Sequence, residues 1–330
     1  MLGESEHALV KETYLSSRKV KNEFESDGDL ARIYGTANAG ATEKTYANSF
    51  TYTPDGRIEK LKLGNGLWEN AKFNTRLQVT ELALGHGPGS GDLWQLGYEY
   101  GELNTDGTVN VAKNTGNVAR QTLSFNGLAQ PLVQSYKYDP LSRITEARET
   151  FGTGGAAPQT WKQTFGYDRY GNRTSFTQDI GGQQLQINNL TLPTIDANTN
   201  RFAANQGYVF DKNGNLKNDP VNGNRQFAFN GDNKQSEVRD ANGALIGKYF
   251  FDGEGRRVKK VVPSTGETTV FVYSSGKLIA EYSTAVPPQS PTTNYTVTDQ
   301  LGSPRVLVNS LGEVGRPRAI SFSVRKPART

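Results

Sequence analysis

The acids with the most regular surroundings in this chain of 330 residues are Asp139, Asp168, Asp211 and Asp252. Each follows an aromatic residue directly and is followed within four positions by a base. Carboxylates perform general acid–base chemistry when two converge on one cleft with different proton affinities. One acid per repeat is a different pattern. It suits a carboxylate that opens a turn and accepts backbone N–H groups. A glycan hydrolase would need two acids that share a cleft, and the sequence nominates no such pair. The chain has two histidines, His7 and His86, neither with a second ligand at metal-binding spacing, and no cysteine. A His-based triad, a thiolate metal site, thiol catalysis and disulfides are therefore not expected. No catalytic residue, cofactor or metal is assigned, and the sequence reads as non-enzymatic.

The elements that hold these acids follow from their neighbours. In Tyr136-Lys-Tyr-Asp-Pro-Leu-Ser-Arg-Ile144, Tyr136 and Tyr138 share one strand face, Asp139 opens a turn, Pro140 presets the next φ, and Arg143 and Ile144 start the returning strand. The phrase recurs as Phe165-Gly-Tyr167-Asp168 with Gly171, Tyr208-Val-Phe210-Asp211 with Gly214, and Tyr249-Phe-Phe251-Asp252 with Gly255. Tyr52 precedes a variant with Thr53 in place of the acid. Phe227–Lys234 substitutes Asn230 and Asn233, and Phe271-Val-Tyr273-Ser-Ser-Gly-Lys-Leu278 is one residue shorter. Glycine or asparagine three residues after the acid fits a type I turn closed by a left-handed residue and a bulge. The openers Asp211, Asn230, Asp252 and Ser274 lie 19, 22 and 22 residues apart, room for two short strands per repeat. A further hairpin is expected near Gly181-Gly182. The repeated bases Arg57, Arg143, Arg256 and Lys277 are expected to pair with acids or stack on the aromatics.

Composition agrees with a thin repeated sheet. Hydrophobic residues make up 35%, glycines number 36 and mean hydropathy is −0.64, but abundant aromatics argue against disorder. The net charge of +4 lies in the tail 316–330, which carries five bases and no acid and leaves the remainder at −1. No basic stripe for nucleic acid results. No apolar run is long enough to span a membrane, and the charged first residues do not form a signal peptide. The loop Gly85–Asp92 superficially resembles a phosphate cradle, but strand-like residues follow it rather than a helix.

These phrases resemble the YD repeats of the RHS (rearrangement hotspot) proteins. Asp299-Gln-Leu-Gly302-Ser-Pro-Arg305, after Tyr273–Tyr282 and before Asn309–Val314, looks like the start of the RHS repeat-associated core. The resemblance implies an all-β fold: antiparallel hairpins forming one long sheet that spirals into a hollow shell, as in teneurin-like shells. The resemblance covers about 50–315; residues 1–49 read by their own pattern as weakly patterned strands and loop (an amphipathic helix over 5–20 being the alternative). A hairpin array over 50–283, the start of the core region over 284–315 and a non-family tail over 316–330 follow. It also implies a role, enclosing a C-terminal toxin or effector polypeptide, with remaining shell segments as partners and family members secreted or at the cell surface. The family's Phe-Gly phrase and Asp-Pro self-cleavage segment are not found here, nor is an effector domain. Ala319–Lys326 can be back-translated so that a frame shifted by two nucleotides reads Asp-Phe-Leu-Phe-Gly-Glu-Glu, which marks the tail as a candidate frameshift product. The other open reading is a carbohydrate- or cell-surface-binding module that uses aromatics such as Tyr136 and Tyr138.

Overall fold

The computed structural model describes residues 11–13, 19–36, 40–181, 183–185, 194–274, 277–284 and 293–315. The basic tail, the proline-rich stretch 286–291 and the turn at 275–276 lie outside them. Every strand pairing among the described residues is antiparallel, and none of these residues is α-helical. The chain divides into two compact units, Met1–Gly166 with Ser175–Ile187 and Thr292–Thr330, and Tyr167–Thr174 with Asn188–Pro291. The pairing already begins at Lys11–Thr13, which lies antiparallel to Lys19–Lys21. The described part of residues 5–20 is thus extended rather than helical.

In the first unit, fourteen strands hydrogen-bond in chain order, from Lys11–Thr13 to Gln183–Leu185. The segment between Tyr100 and Val118 leaves this order and forms a ribbon of Glu102–Leu103 with Val109–Asn110. The strand Trp94–Tyr100 shows why the sheet has one dry face: its alternation turns Trp94, Leu96 and Tyr98 inward. Its neighbour Val118–Phe125 sets Leu123 opposite Leu96 and Gln121 opposite Tyr98. The hairpin of Asn294–Thr298 and Pro304–Asn309 brings Val297, Val306 and Val308 to the same cluster, with Leu63, Leu67, Leu84 and Leu93. Fully buried side chains such as Leu84, Leu96 and Val308 contribute about 1.5–3 kcal/mol each. Gly64 permits the close approach here, because a Cβ would run into the Thr45 carbonyl and the Tyr295 hydroxyl.

Further along that face the buried side chains become polar. Gln121 donates to Gln134 (3.2 Å), and Gln134 donates to Glu149 (2.7 Å). Tyr136 donates to Gln134 and Thr160 to Glu149, each at 2.7 Å. Gln121, Gln134 and Glu149 stand directly opposite one another on successive strands, so the ladder is in register with the backbone. Each amide fulfils its neighbour, which lets polar groups lie buried without an unpaired penalty.

The second unit holds eight strands in chain order, from Val209–Phe210 to Lys277–Ser283, with Val238, Thr269 and Phe271 buried. A small ribbon of Ile195–Asp196 with Arg201–Phe202 precedes it. The hairpin expected near Gly181 forms, pairing Gln178 with Leu185.

Candidate functional site: aspartate turns and tyrosine clamps

The feature that recurs throughout both units is one turn. At Asp139 the backbone N–H of the acid donates to the Arg143 carbonyl (2.9 Å), and Ser142 N–H donates back to the Asp139 carbonyl (2.9 Å). Asp168, Asp211, Asp252 and Asp299 open turns with the same two bonds, and Gly171, Gly214, Gly255 and Gly302 occupy the left-handed position. Ser142 and Leu77 hold that position without glycine, at φ of 60°. Thr53, Asn74, Asn104 and Asn230 open equivalent turns. So do Glu25, which follows Phe24, and Leu63, Asp240 and Asn309, which the aromatic–acid phrase does not mark. Asp240 closes the opposite ends of strands whose other tips lie at Asn230 and Asp252, so these two strands carry such a turn at both ends.

The carboxylates cap these turns. Asp139 Oδ1 accepts from Leu141 and Arg143 N–H (2.9 and 3.0 Å), and Oδ2 accepts from Arg143 Nε (2.6 Å). Asp168 and Asp211 repeat the pattern with Asn172 and Asn215 at the second oxygen, and Asp252 with Arg256. Their carboxyls are held below the ordinary range: Asp168, Asp211 and Asp252 chiefly by the side-chain bond to Asn172, Asn215 and Arg256, Asp139 chiefly by the Arg143 backbone N–H. At Asp299 the residue four on is serine, and the second oxygen instead takes Arg305 Nε at 2.9 Å. This pair is buried, with side-chain exposures of 5% for Arg305 and 2% for Asp299.

Most of these turns are followed by a second irregularity, while those at Leu63 and Asn104 keep a regular register. The sixth residue after the opener stands outside the register: Thr145 between the pairs Lys137–Glu146 and Tyr138–Ile144, Val258 after Asp252, and Arg305 after Asp299. Such bulges raise local twist and break the ladder to the next hairpin. Pairing between hairpins stops at Arg32–Asn48, Glu81–Gly97, Arg120–Ser135 and Lys259–Val270. Two residues beyond each of these pairs, a carbonyl accepts a tyrosine hydroxyl from the neighbouring hairpin. Tyr52 donates to Leu30 (2.7 Å), Tyr100 to Val79 (2.9 Å), Tyr138 to Val118 (2.9 Å) and Tyr273 to Arg257 (3.3 Å). Burial pushes the Tyr138 hydroxyl up to about 12, which keeps it a donor. At Phe73 and Phe210 a cation covers the ring: Arg57 lies over Phe73 at 5.5 Å and Arg201 over Phe210 at 5.8 Å. Tyr273 has both, with Arg256 at 5.4 Å. Tyr167 and Phe251 precede their aspartates as half-buried residues.

The remaining chemistry-bearing residues do not assemble. His86 Nδ1 lies 2.5 Å from Asp92 Oδ2 in the exposed loop, and the Ser90 hydroxyl donates to the same carboxylate rather than meeting the imidazole. That arrangement does not activate a serine. Among the described residues no three metal-ligating side chains cluster. Tyr136 is 8% exposed and its hydroxyl is committed to Gln134, so it offers no platform for a sugar. Glu69, opposite Leu61 and Leu84, is a carboxyl that burial pushes up to about 7. No sequence signal separated it from the solvated glutamates, because its burial depends on the strands beside it.

Successive hairpins with capped tips and clamped seams define a β-hairpin-repeat protein. The model of the teneurin YD-shell family matches residues 112–284, and the chain belongs to that family. No curated protein matches it. Among solved structures, TcdB2-TccC3 aligns with a TM-score of 0.71 at 18% identity, over 93% of this chain and 17% of that one. TcdB2-TccC3 without its hypervariable C-terminal region aligns at 0.70, again at 18% identity and with the same coverage. The chain thus spans only that small share of the structures it matches. It is a YD-shell segment with their antiparallel hairpin fold.

Three outcomes follow from this geometry. Tyr138→Phe leaves the Val118 carbonyl without its donor and lowers stability by about 1 kcal/mol, read from the urea midpoint at unchanged slope. Arg305→Met strands a buried carboxylate and costs about 3–5 kcal/mol, far more than Arg143→Met at a half-buried turn; equal losses would refute the distinction. Stability also depends on pH in two windows. The turn aspartates have depressed folded values, so their contribution is complete above about pH 4 and is lost as pH falls further. Glu69 has a raised value, so stability declines as pH rises from about 4.3 to 7. Glu69→Gln removes that upper decline, and Asn at the four aspartates shrinks the acid loss; melting temperatures from pH 3 to 8 test both.

Proposed function

We propose that this chain forms part of the wall of a shell that holds a polypeptide cargo sequestered, and that its action is mechanical rather than enzymatic. The observation that carries this reading is the seam between hairpins. Tyrosine hydroxyls tie neighbouring hairpins together at four seams, and the tip carboxylates are occupied by N–H groups of their own turns. A wall built in this way leaves few backbone groups open between hairpins for a foreign strand to pair with. The turn residues Asp139, Asp168, Asp211, Asp252 and Asp299 and their glycines have a structural role in this reading, as do the aromatics that precede them. The resemblance of the Asp299–Arg305 segment to the RHS core, and the TcdB2-TccC3 neighbours, support a toxin or effector as the cargo. Remaining shell segments are the other partners.

The test is protease protection in the product of the whole locus, with the open reading frame sequenced well past codon 310. A segment outside the repeats is expected to survive trypsin in the native protein and to be digested once mild denaturant opens the shell. Digestion at equal rates in both conditions overturns containment.

A further inference from the structure

The turns that cap the hairpins also govern a reaction of the chain with itself. Asparagine is thermolabile, and most so before glycine, because no Cβ shields the next backbone nitrogen from the side-chain amide. The chain has six such steps, at Asn65, Asn126, Asn213, Asn222, Asn230 and Asn242. The capped turn withdraws the nucleophile at three of them. Asn65, Asn213 and Asn242 stand two residues after the opener, and the glycine N–H that follows donates to the opener's carbonyl. Gly66 donates to Leu63 (2.9 Å), Gly214 to Asp211 and Gly243 to Asp240 (3.1 Å each). Asn230 is itself an opener, and its Oδ1 is held by the Asp232 and Lys234 N–H groups at 3.0 and 2.9 Å. Asn222 donates its Nδ2 to Asp219 Oδ2 at 2.6 Å, which ties the amide down.

Asn126 has none of these restraints. Its turn is closed by the Leu128 N–H, which donates to the Phe125 carbonyl at 3.1 Å. Asn126 and Gly127 are therefore the second and third residues of the turn, not the third and fourth, and Gly127 has φ of 89°. In that place an N–H points out of the turn rather than across it. Among the described residues nothing accepts from the Gly127 N–H and nothing bonds the Asn126 side chain. Both residues are exposed. A shift of one place within the turn thus frees the nucleophile and its target together.

We propose that Asn126 is a self-modification site, at which the side-chain amide is exchanged for a carboxylate. The Gly127 nitrogen gives its proton to hydroxide and attacks Asn126 Cγ. The new C–N bond forms, the Cγ–Nδ2 bond breaks, and ammonia leaves with a proton from water. Water then opens the five-membered ring at either carbonyl, giving aspartate or isoaspartate. One water is consumed and one ammonia released, with no change of oxidation state. The Asn126 N–H donates to the carbonyl of buried Leu93 at 3.0 Å, so the altered residue adjoins the apolar core. Isoaspartate lengthens the main chain by one carbon beside that bond, and either product adds a negative charge at the hairpin tip.

The experiment is peptide mapping by mass spectrometry after the whole chain has aged at 37 °C and pH 7.4. The tryptic peptide 121–137 carries Asn126 as its single asparagine. Asn126 is expected to convert at least fivefold faster than Asn65, Asn213, Asn230 and Asn242, with Asn222 next in order. The rate should rise with pH, and isoaspartate should appear beside aspartate. In guanidinium chloride the turns are lost and the six rates should converge, because glycine follows each asparagine. Asn126→Gln should hold the mass of peptide 121–137 constant over the same interval. Four results overturn the proposal. Native Asn126 could convert no faster than Asn213 and Asn242. The spread of rates could persist in denaturant, which would assign it to sequence rather than to the turns. Aspartate could form without isoaspartate, which would mean direct hydrolysis. Peptide 121–137 could still gain mass in the Asn126→Gln variant, which would assign the loss to a glutamine. None of these readouts depends on a cargo, so failure here leaves containment standing, and the reverse.

Discussion

The structure depends on how backbone hydrogen bonds are completed between one hairpin and the next. A bulge six residues after the opener, as at Thr145 and Val258, lets the sheet twist but ends the inter-hairpin ladder before the tip. The carbonyls beyond that point would be costly to leave unpaired where the neighbouring hairpin covers them. A tyrosine hydroxyl from that hairpin reaches them instead. The same side chain therefore satisfies a backbone group and fixes the spacing of successive hairpins. Phenylalanine at this position provides the spacing alone, and an overlying arginine supplies the polar contact.

The buried face of the first unit uses two chemistries in sequence. Around Trp94 and Leu96 it is apolar, and the hairpin that carries Asp299 and Arg305 packs against it. That hairpin brings a buried ion pair with it, affordable because the Asp299 carboxylate also caps its own turn through the Leu301 and Ser303 N–H groups. Along Gln121, Gln134 and Glu149 the face becomes a lateral ladder of amides and carboxylate. An apolar face tolerates a slip by two residues, whereas a hydrogen-bonded ladder does not, so the polar half sets the register.

Unit by unit, the same turn serves different surroundings. In the second unit the tips are wetter, and asparagine side chains link one tip to another, as in the bonds from Asn213 and Asn215 to Asn233. In the first unit the ribbon between Tyr100 and Val118 is tied to the Asp139 tip through Asn117 and Ser142. The capped turn is thus a module whose backbone geometry is constant, while the group that meets the second carboxylate oxygen varies among arginine, asparagine and a distant arginine.

The all-β class, the antiparallel hairpins and the turn at each aspartate were legible in the sequence, because each is set by residues within about five positions of one another. Aspartate as N–H acceptor, glycine or asparagine at positive φ, and aromatic alternation are local choices that chain sterics fix. The turns at Asp240 and Asn309 were not marked, since Arg239 and Val308 stand where the phrase has an aromatic and only the backbone reveals the kinship. The tyrosines read as a hydrophobic face, and their hydroxyls acquired acceptors only when hairpins distant in sequence came together. Gln121, Gln134 and Glu69 look like any surface polar residues in one dimension. Their burial and the pairing of Asp299 with Arg305 were decided by tertiary structure, because solvent exposure and cross-strand partners belong to the sheet rather than to the segment.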